Sequence, residues 1–339
     1  MEDYPRSVIE FHQRFCSEEA CWRYLVEIRW PDGFVCPHCG FADAWKRNRR
    51  RLLVCRRCRA QTSVTAGTIF HRTRKPLRLW LYAMWHITSQ KYGANALGLK
   101  RVLELGSYQT AWEWLHRLRR AMVRPGREKL SGIVEVDETY LGGSRPGKRG
   151  RGAENKVLVL VAVEDKGKEG FGRIRLAQVA DASSDSLIPF VQANVELGST
   201  VRTDGWKGYN PLAKTGYLHV RDRDSSNVGD EPLPLAHRIV ALLKRWLLGT
   251  YQGAVKPTHL DYYLDEYTFR FNRRTSGSRG KLFYRLVQQA MNLEPVPGHD
   301  LKAAPQRVGA TLSAETDAPT AIPKRPRSKP QYIGVGGAK

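Results

Sequence analysis

Ile133-Val134-Glu135-Val136-Asp137 and Thr200-Val201-Arg202-Thr203-Asp204 are the two stretches that decide how this chain folds. Each is rich in β-branched residues and each closes on a carboxylate, so both aspartates are expected at strand ends. Around the first, residues 133–140, 156–163 and 172–179 read as a meander of three strands joined by glycine-rich or charged turns. A helix over 187–195 follows the N-cap signal Ser183-Ser184. Then come the strand ending at Asp204, a short helical element at 209–213, a strand at 217–221 and a helix over 235–248.

Three strands, helix, strand, helix, strand, helix is the order of the ribonuclease H-like fold. It puts Asp137 on the first strand, Asp204 after the fourth and His237 on the last helix, the three places where such a sheet assembles a metal site. Two carboxylates and a helix-borne ligand can hold a pair of divalent cations, which activate a water or a 3′-hydroxyl for in-line displacement at phosphorus. Tyr and Ser nucleophiles are not needed for that chemistry. Lys244 lies seven residues after His237, close to the same helix face, where it would contact a DNA end.

All six cysteines lie in the first 58 residues. Cys36-Pro-His-Cys39 and Cys55-Arg-Arg-Cys58 are separated by fifteen residues, the spacing of a four-thiolate zinc ribbon. Trp45 and Leu52-Leu53-Val54 supply a hairpin between the knuckles that is too short to fold without Zn2+. Cys16 and Cys21 fall in an amphipathic stretch over 11–28 and are expected as small buried hydrophobes.

Beyond the ribbon, Lys75-Pro76-Leu77 opens a helix reaching about residue 90. Helices over 95–105 and 108–122, joined at Gly106-Ser107, have the spacing of a helix-turn-helix. The second carries Trp112, Trp114 and His116 along with Arg117, Arg119 and Arg120, which are read as DNA contacts; the same helices also suit a plain bundle with tryptophans in its core. A late helix over 257–272 is expected to cover one face of the sheet.

Charge names the partner class. With 56 Lys+Arg against 33 Asp+Glu, the chain carries a formal +23, and the excess is clustered. Eight basic residues and no acid lie between Lys46 and Arg59, among them Arg49, Arg50, Arg51, Arg56 and Arg57, and a second run contains Lys148, Arg149 and Arg151. Lys207 and Arg245 add to this set of candidate DNA contacts. No stretch approaches the roughly 18 uninterrupted apolar residues of a membrane span, which excludes a helical membrane protein. A cytoplasmic, nucleoid-associated protein is expected.

Val134-Glu-Val-Asp137-Glu-Thr-Tyr-Leu-Gly-Gly143, Thr203-Asp204-Gly-Trp-Lys-Gly-Tyr209, Leu243-Lys244-Arg-Trp-Leu-Leu-Gly-Thr-Tyr251 and Tyr263-Leu-Asp-Glu-Tyr-Thr-Phe-Arg-Phe-Asn-Arg-Arg274 together resemble the DDE-type transposases of prokaryotic insertion sequences. The group in question bears an N-terminal zinc ribbon and is the insertion-sequence family numbered fifteen-ninety-five. Ala66-Gly-Thr-Ile-Phe70 and Ser107-Tyr-Gln-Thr-Ala-Trp112 extend the likeness, which runs from about residue 11 to about residue 286. The resemblance implies binding to the terminal inverted repeats of the element, metal-dependent strand cleavage and strand transfer, and a homo-oligomer that is dimeric in the synaptic complex. Many DDE enzymes have Glu where this chain has His237, so an Asp-Asp-His set is expected, with manganese well suited to the imidazole and Glu231 as the fallback ligand.

The expected fold class is α+β and multidomain. An N-terminal helix and zinc ribbon occupy 1–72, a helical DNA-binding module 73–130, a ribonuclease H-like catalytic domain with a mixed sheet flanked by helices 131–294, and a disordered basic tail 295–339. The competing reading is a DNA-binding regulator whose nuclease-like domain has lost its chemistry, which the histidine at the third metal position keeps open.

Overall fold

A computed structural model describes residues 2–47, 51–124, 126–142, 156–222, 232–253 and 255–302. Arg49, Arg50, Lys148, Arg149, Arg151 and Glu231 lie outside the described residues, as does the tail from 303 onward. Among the described residues no helix is long and apolar enough to cross a membrane.

The N-terminus folds as two helices, α1 (Val8–Arg14) and α2 (Glu18–Arg29), where one amphipathic stretch was expected. Ser7 and Ser17 are the reason: each hydroxyl accepts from a backbone N–H three residues on, starting a helix of its own. The break leaves Cys16 exposed on the intervening turn, a correction to its expected burial, whereas Cys21 is buried on α2. The ribbon follows as three antiparallel strands, β1 (Ala44–Arg47), β2 (Leu52–Cys55) and β3 (Gln61–Ser63).

Helices α3 (Leu77–Ser89), α4 (Ala96–Val102) and α5 (Tyr108–Arg120) come next. Pro76 gives α3 no side-chain cap, and the Glu18 carboxylate substitutes by accepting from the Leu77 and Arg78 N–H groups at 3.0 Å each. Asn95 and Ser107 cap α4 and α5 from their own side chains. Trp80 of α3 and Trp114 of α5 stack at 3.7 Å between ring centroids, so Trp114 is core.

The second layered unit is a five-stranded mixed sheet. Its strands are β4 (Ile133–Gly142), β5 (Lys156–Asp165), β6 (Phe171–Val179), β7 (Thr200–Thr203) and β8 (Leu218–Arg221), in the order β6-β5-β4-β7-β8. The first three pair antiparallel, while β7 pairs parallel with both β4 and β8, which is the ribonuclease H-like arrangement. Strand pleat sorts the side chains. Val134, Val136, Leu160 and Ala162 pack under α6 (Ser184–Asn194), and Val159, Val161 and Val163 pack under α7 (Pro234–Tyr251) and α8 (Leu260–Phe271).

A last helix, α9 (Arg279–Asn292), was not anticipated as a separate element. Its Leu282, Phe283, Leu286 and Val287 join the core of α1, α2, α3 and α5 rather than the sheet. Gly280 lets it dock, since a Cβ there would fall 1.8 Å from the Pro5 carbonyl oxygen. Part of the stretch expected to be disordered is packed: Val296 and Leu301 are buried against Tyr262.

Candidate active site

Asp137 sits in the middle of β4, a correction to the expected strand end. The strand runs on because every residue from Ile133 to Gly142 finds a partner on β5 and Leu141 is buried. Asp204 does follow the last residue of its strand, β7. The parallel register pairs Glu135 with Arg202, so two positions further on Asp204 falls in line with Asp137 on the same face. Gly205 turns the chain at φ 78° immediately afterwards, and the Trp206 N–H donates to Asp204 Oδ1 at 2.9 Å. Gly208 is required by packing, because a Cβ would lie 2.7 Å from both the Ala182 carbonyl and Leu187.

His237 enters from the first turn of α7, and its Nε2 lies 3.4 Å from Asp137 Oδ2. Burial pushes the Asp137 carboxyl up to about 6, with repulsion from Glu138 and Asp204 adding to it and His237 opposing it. Two acids crowded in this way favour a cation. Among the described residues, however, only the four cysteines are drawn together as a ready metal-binding group of three or more. Lys244 and Arg245 are exposed further along α7, and Lys207 is exposed beyond Asp204.

What the sequence did not reveal is how α7 is held. Leu233, at φ 54° and ψ 53°, offers no side-chain cap. The buried Glu135 does so from the sheet: its Oε2 accepts from the Ala236 N–H at 2.8 Å, and its Oε1 lies 3.4 Å from Arg202. Arg202 also reaches Asp222 at 2.8 Å and Asp165 at 3.5 Å. Glu135 thus fixes the helix that carries His237 over the residue two positions along its own strand. The two-residue period from Asp137 was the only signal, and it does not by itself give Glu135 a partner. On the opposite face, Tyr209 donates its hydroxyl to Glu138 at 3.0 Å.

The cysteine site is well formed. Cys36 and Cys58 place their sulfurs 3.6 Å apart, as do Cys39 and Cys55, and all four lie within 4.8 Å of one another. Tetrahedral Zn–S bonds of about 2.3 Å would separate sulfurs by about 3.8 Å, so the four thiols fit zinc and not disulfides.

The candidate DNA contacts divide. Arg119 is corrected: it is buried, with Nε 2.8 Å from the buried Glu266, Nη2 on the Ala94 carbonyl at 3.2 Å and its guanidinium 4.3 Å over the Tyr263 ring. It follows Leu115 by four residues and shares its inward face. Arg120 is exposed and Arg117 half-buried. In the ribbon, Arg57 is exposed, Arg51 lies 3.6 Å from Glu19 and Arg56 2.9 Å from Asp43.

Residues 16–61 match a transposase zinc-ribbon domain and residues 129–272 an ISXO2-like transposase domain. An uncharacterised protein of the transposable element ISH50 of Halobacterium salinarum is 29% identical over 257 residues, covering 69% of this chain and 84% of its own length. A chain of the simian T-cell lymphotropic virus intasome in complex with PP2A regulatory subunit B56 gamma matches 68% of this chain and 80% of itself, at 15% identity and a TM-score of 0.31, too low a likeness to carry an argument. With a ribbon and a transposase domain matched in the family's order, and a relative from a mobile element, the chain belongs to the DDE-type transposases of insertion sequences that carry an N-terminal zinc ribbon.

Proposed function

We propose that this transposase binds the terminal inverted repeats of its own insertion sequence and catalyses metal-dependent strand cleavage and strand transfer, with an Asp-Asp-His site. The observation that carries the reading is the approach of His237 Nε2 to 3.4 Å from Asp137 Oδ2. Asp204 follows the neighbouring parallel strand in line with them. In this reading Asp137, Asp204 and His237 hold Mg2+ or Mn2+. Such ions, when bound, lower the pKa of an attacking water and stabilise the leaving 3′-oxygen.

The chain's own groups do the rest. Asp137 would hold a cation as a carboxylate, and the charge that burial, Glu138 and Asp204 penalise would be compensated there. Glu135 keeps α7 seated, and Lys244, two turns beyond His237, takes a phosphate of the bound end. The ribbon, with Arg57, and the α4–α5 pair, with Arg117 and Arg120, serve recognition of the ends as a helix-turn-helix-like module. A dimer in the synaptic complex would bring two ends to two such sites.

The test is incubation of the purified protein with duplexes carrying the ends of its element, in magnesium or manganese. Cleavage and joining by the wild type, lost in Asp137→Ala and Asp204→Ala with end binding retained, is the expected result. End binding without cleavage by the wild type in either metal would replace this reading with the DNA-binding regulator.

A further inference from the structure

A cavity of about 790 Å³ opens between the residues after α5, the turn that follows α8, and α9. Apart from Asn272, its lining lies outside the two stretches that the family's domains match. Four cations face it, Arg124, Arg273, Lys281 and Arg285, with Asn, Gln, Ser and Thr side chains between them and no acid in the wall. A second cavity of about 280 Å³ shares Arg124, Asn272 and Arg273 with the first and continues past Arg127, Arg173 and Arg175, with Glu128 and Asp265 also in its wall.

The cations are only partly neutralised. Lys281 and Arg285 reach Glu2, and Arg124 lies 3.2 Å from Glu128. Arg273 pairs with no carboxylate among the described residues; it donates to the Phe269 carbonyl at 3.2 Å and lies over the Phe269 ring. Burial lowers its pKa, and Arg285 and Arg124 lower it further, so three guanidinium groups repel one another across the space. A fold tolerates such a concentration of like charge when an anion comes to neutralise it.

We propose that this pair of cavities is a binding track for the phosphodiester backbone of duplex DNA, separate from the Asp-Asp-His site. Two features favour a backbone over a single nucleotide. No aromatic side chain lines the larger cavity to stack a base. The shared Arg124 and Arg273 make the two cavities one continuous path, as successive phosphates require. Neutral amides and hydroxyls between arginines match the donors that hold DNA phosphates without reading sequence. The track rests on the proposed function for its ligand class but concerns affinity, not chemistry.

The experiment measures binding of a labelled duplex of unrelated sequence by the full chain, over a range of salt. The proteins compared are the wild type, the Arg124→Gln/Arg285→Gln double variant, and Lys168→Gln, which removes a charge from the exposed turn between β5 and β6. The double variant is expected to bind at least about 10-fold more weakly. Its slope of log affinity against log salt should be shallower by about 0.9 for each phosphate that is no longer neutralised. An unchanged slope, or a weakening no greater than that of Lys168→Gln, overturns the track. If the double variant melts earlier, single Arg124→Gln, whose side chain is 55% exposed, gives the same reading with a smaller change. A wild type that neither binds DNA nor cleaves its ends refutes the proposed function; a wild type that does both beside an unaffected double variant refutes only the track.

Discussion

Arg119 and Glu266, 147 positions apart in the chain, meet at 2.8 Å with both side chains sealed from water, and so join α5 to α8, which lies on the five-stranded sheet. Burial alone would raise the Glu266 carboxyl, but Arg270 and Arg119 outweigh it and hold the group below the usual range. A depressed carboxylate contributes stability above its unfolded pKa and loses it as pH falls through the folded value. Glu266→Gln should therefore destabilise the protein at neutral pH by roughly 3–5 kcal/mol, because a guanidinium is left buried without its counter-charge. The deficit should shrink under acid, where the wild type loses the same interaction. Urea unfolding at neutral and acidic pH measures both.

Asp137 gives the opposite sign. Its carboxyl is pushed up to about 6, mainly by burial, so between the ordinary carboxylate value and about 6 the folded state holds a proton that the unfolded state has released. Stability from this group falls as pH rises through that window. Asp137→Asn should thus raise the metal-free unfolding free energy at neutral pH, by up to about 3 kcal/mol, and make no difference in stronger acid. A variant less stable than wild type at pH 7 would show that the charge is compensated inside the metal-free site.

One zinc per chain is expected at Cys36, Cys39, Cys55 and Cys58. Metal analysis of the wild type should find it, and Cys36→Ser with Cys55→Ser should lose it together with the fold of the small β1–β2–β3 sheet. Zinc retained in the double variant would place the metal elsewhere.

His237 is the most informative single position. In the proposed Asp-Asp-His site the imidazole serves the reaction and not the affinity, so His237→Ala should abolish strand cleavage while leaving binding to the ends intact. His237→Glu supplies an oxygen ligand better suited to magnesium and should keep some activity in that metal. Full activity in His237→Ala would show that the approach to Asp137 is incidental.

The fold was legible where residues repeat with a period. The β-branched runs marked the five strands of the large sheet to within two residues, and the Ser183-Ser184 signal announced the start of α6, whose N-cap is Ser183. The CxxC spacing located the ribbon because zinc geometry leaves little freedom. Contacts between distant segments were not legible. Arg119 looked like one arginine among several until its position four residues after Leu115 turned it towards Glu266, and nothing in the run from Ile133 to Asp137 paired Glu135 with the Ala236 N–H of α7. Asp137 and His237 were related by the fold's expected order, yet nothing local could show how they approach.

The placement of α9 bears on the order of assembly. The ribosome delivers α1, α2 and α3 first, but Phe283 of α9 packs directly on the rings of Phe11, Phe15, Tyr24 and Trp85. Such a core waits for contacts spanning most of the polypeptide, and contacts of that separation form slowly. The segment synthesised first is thus among the last to be finished. A copy of the gene interrupted before residue 279 would yield a nascent protein with an aromatic cluster open to solvent, a target for proteolysis.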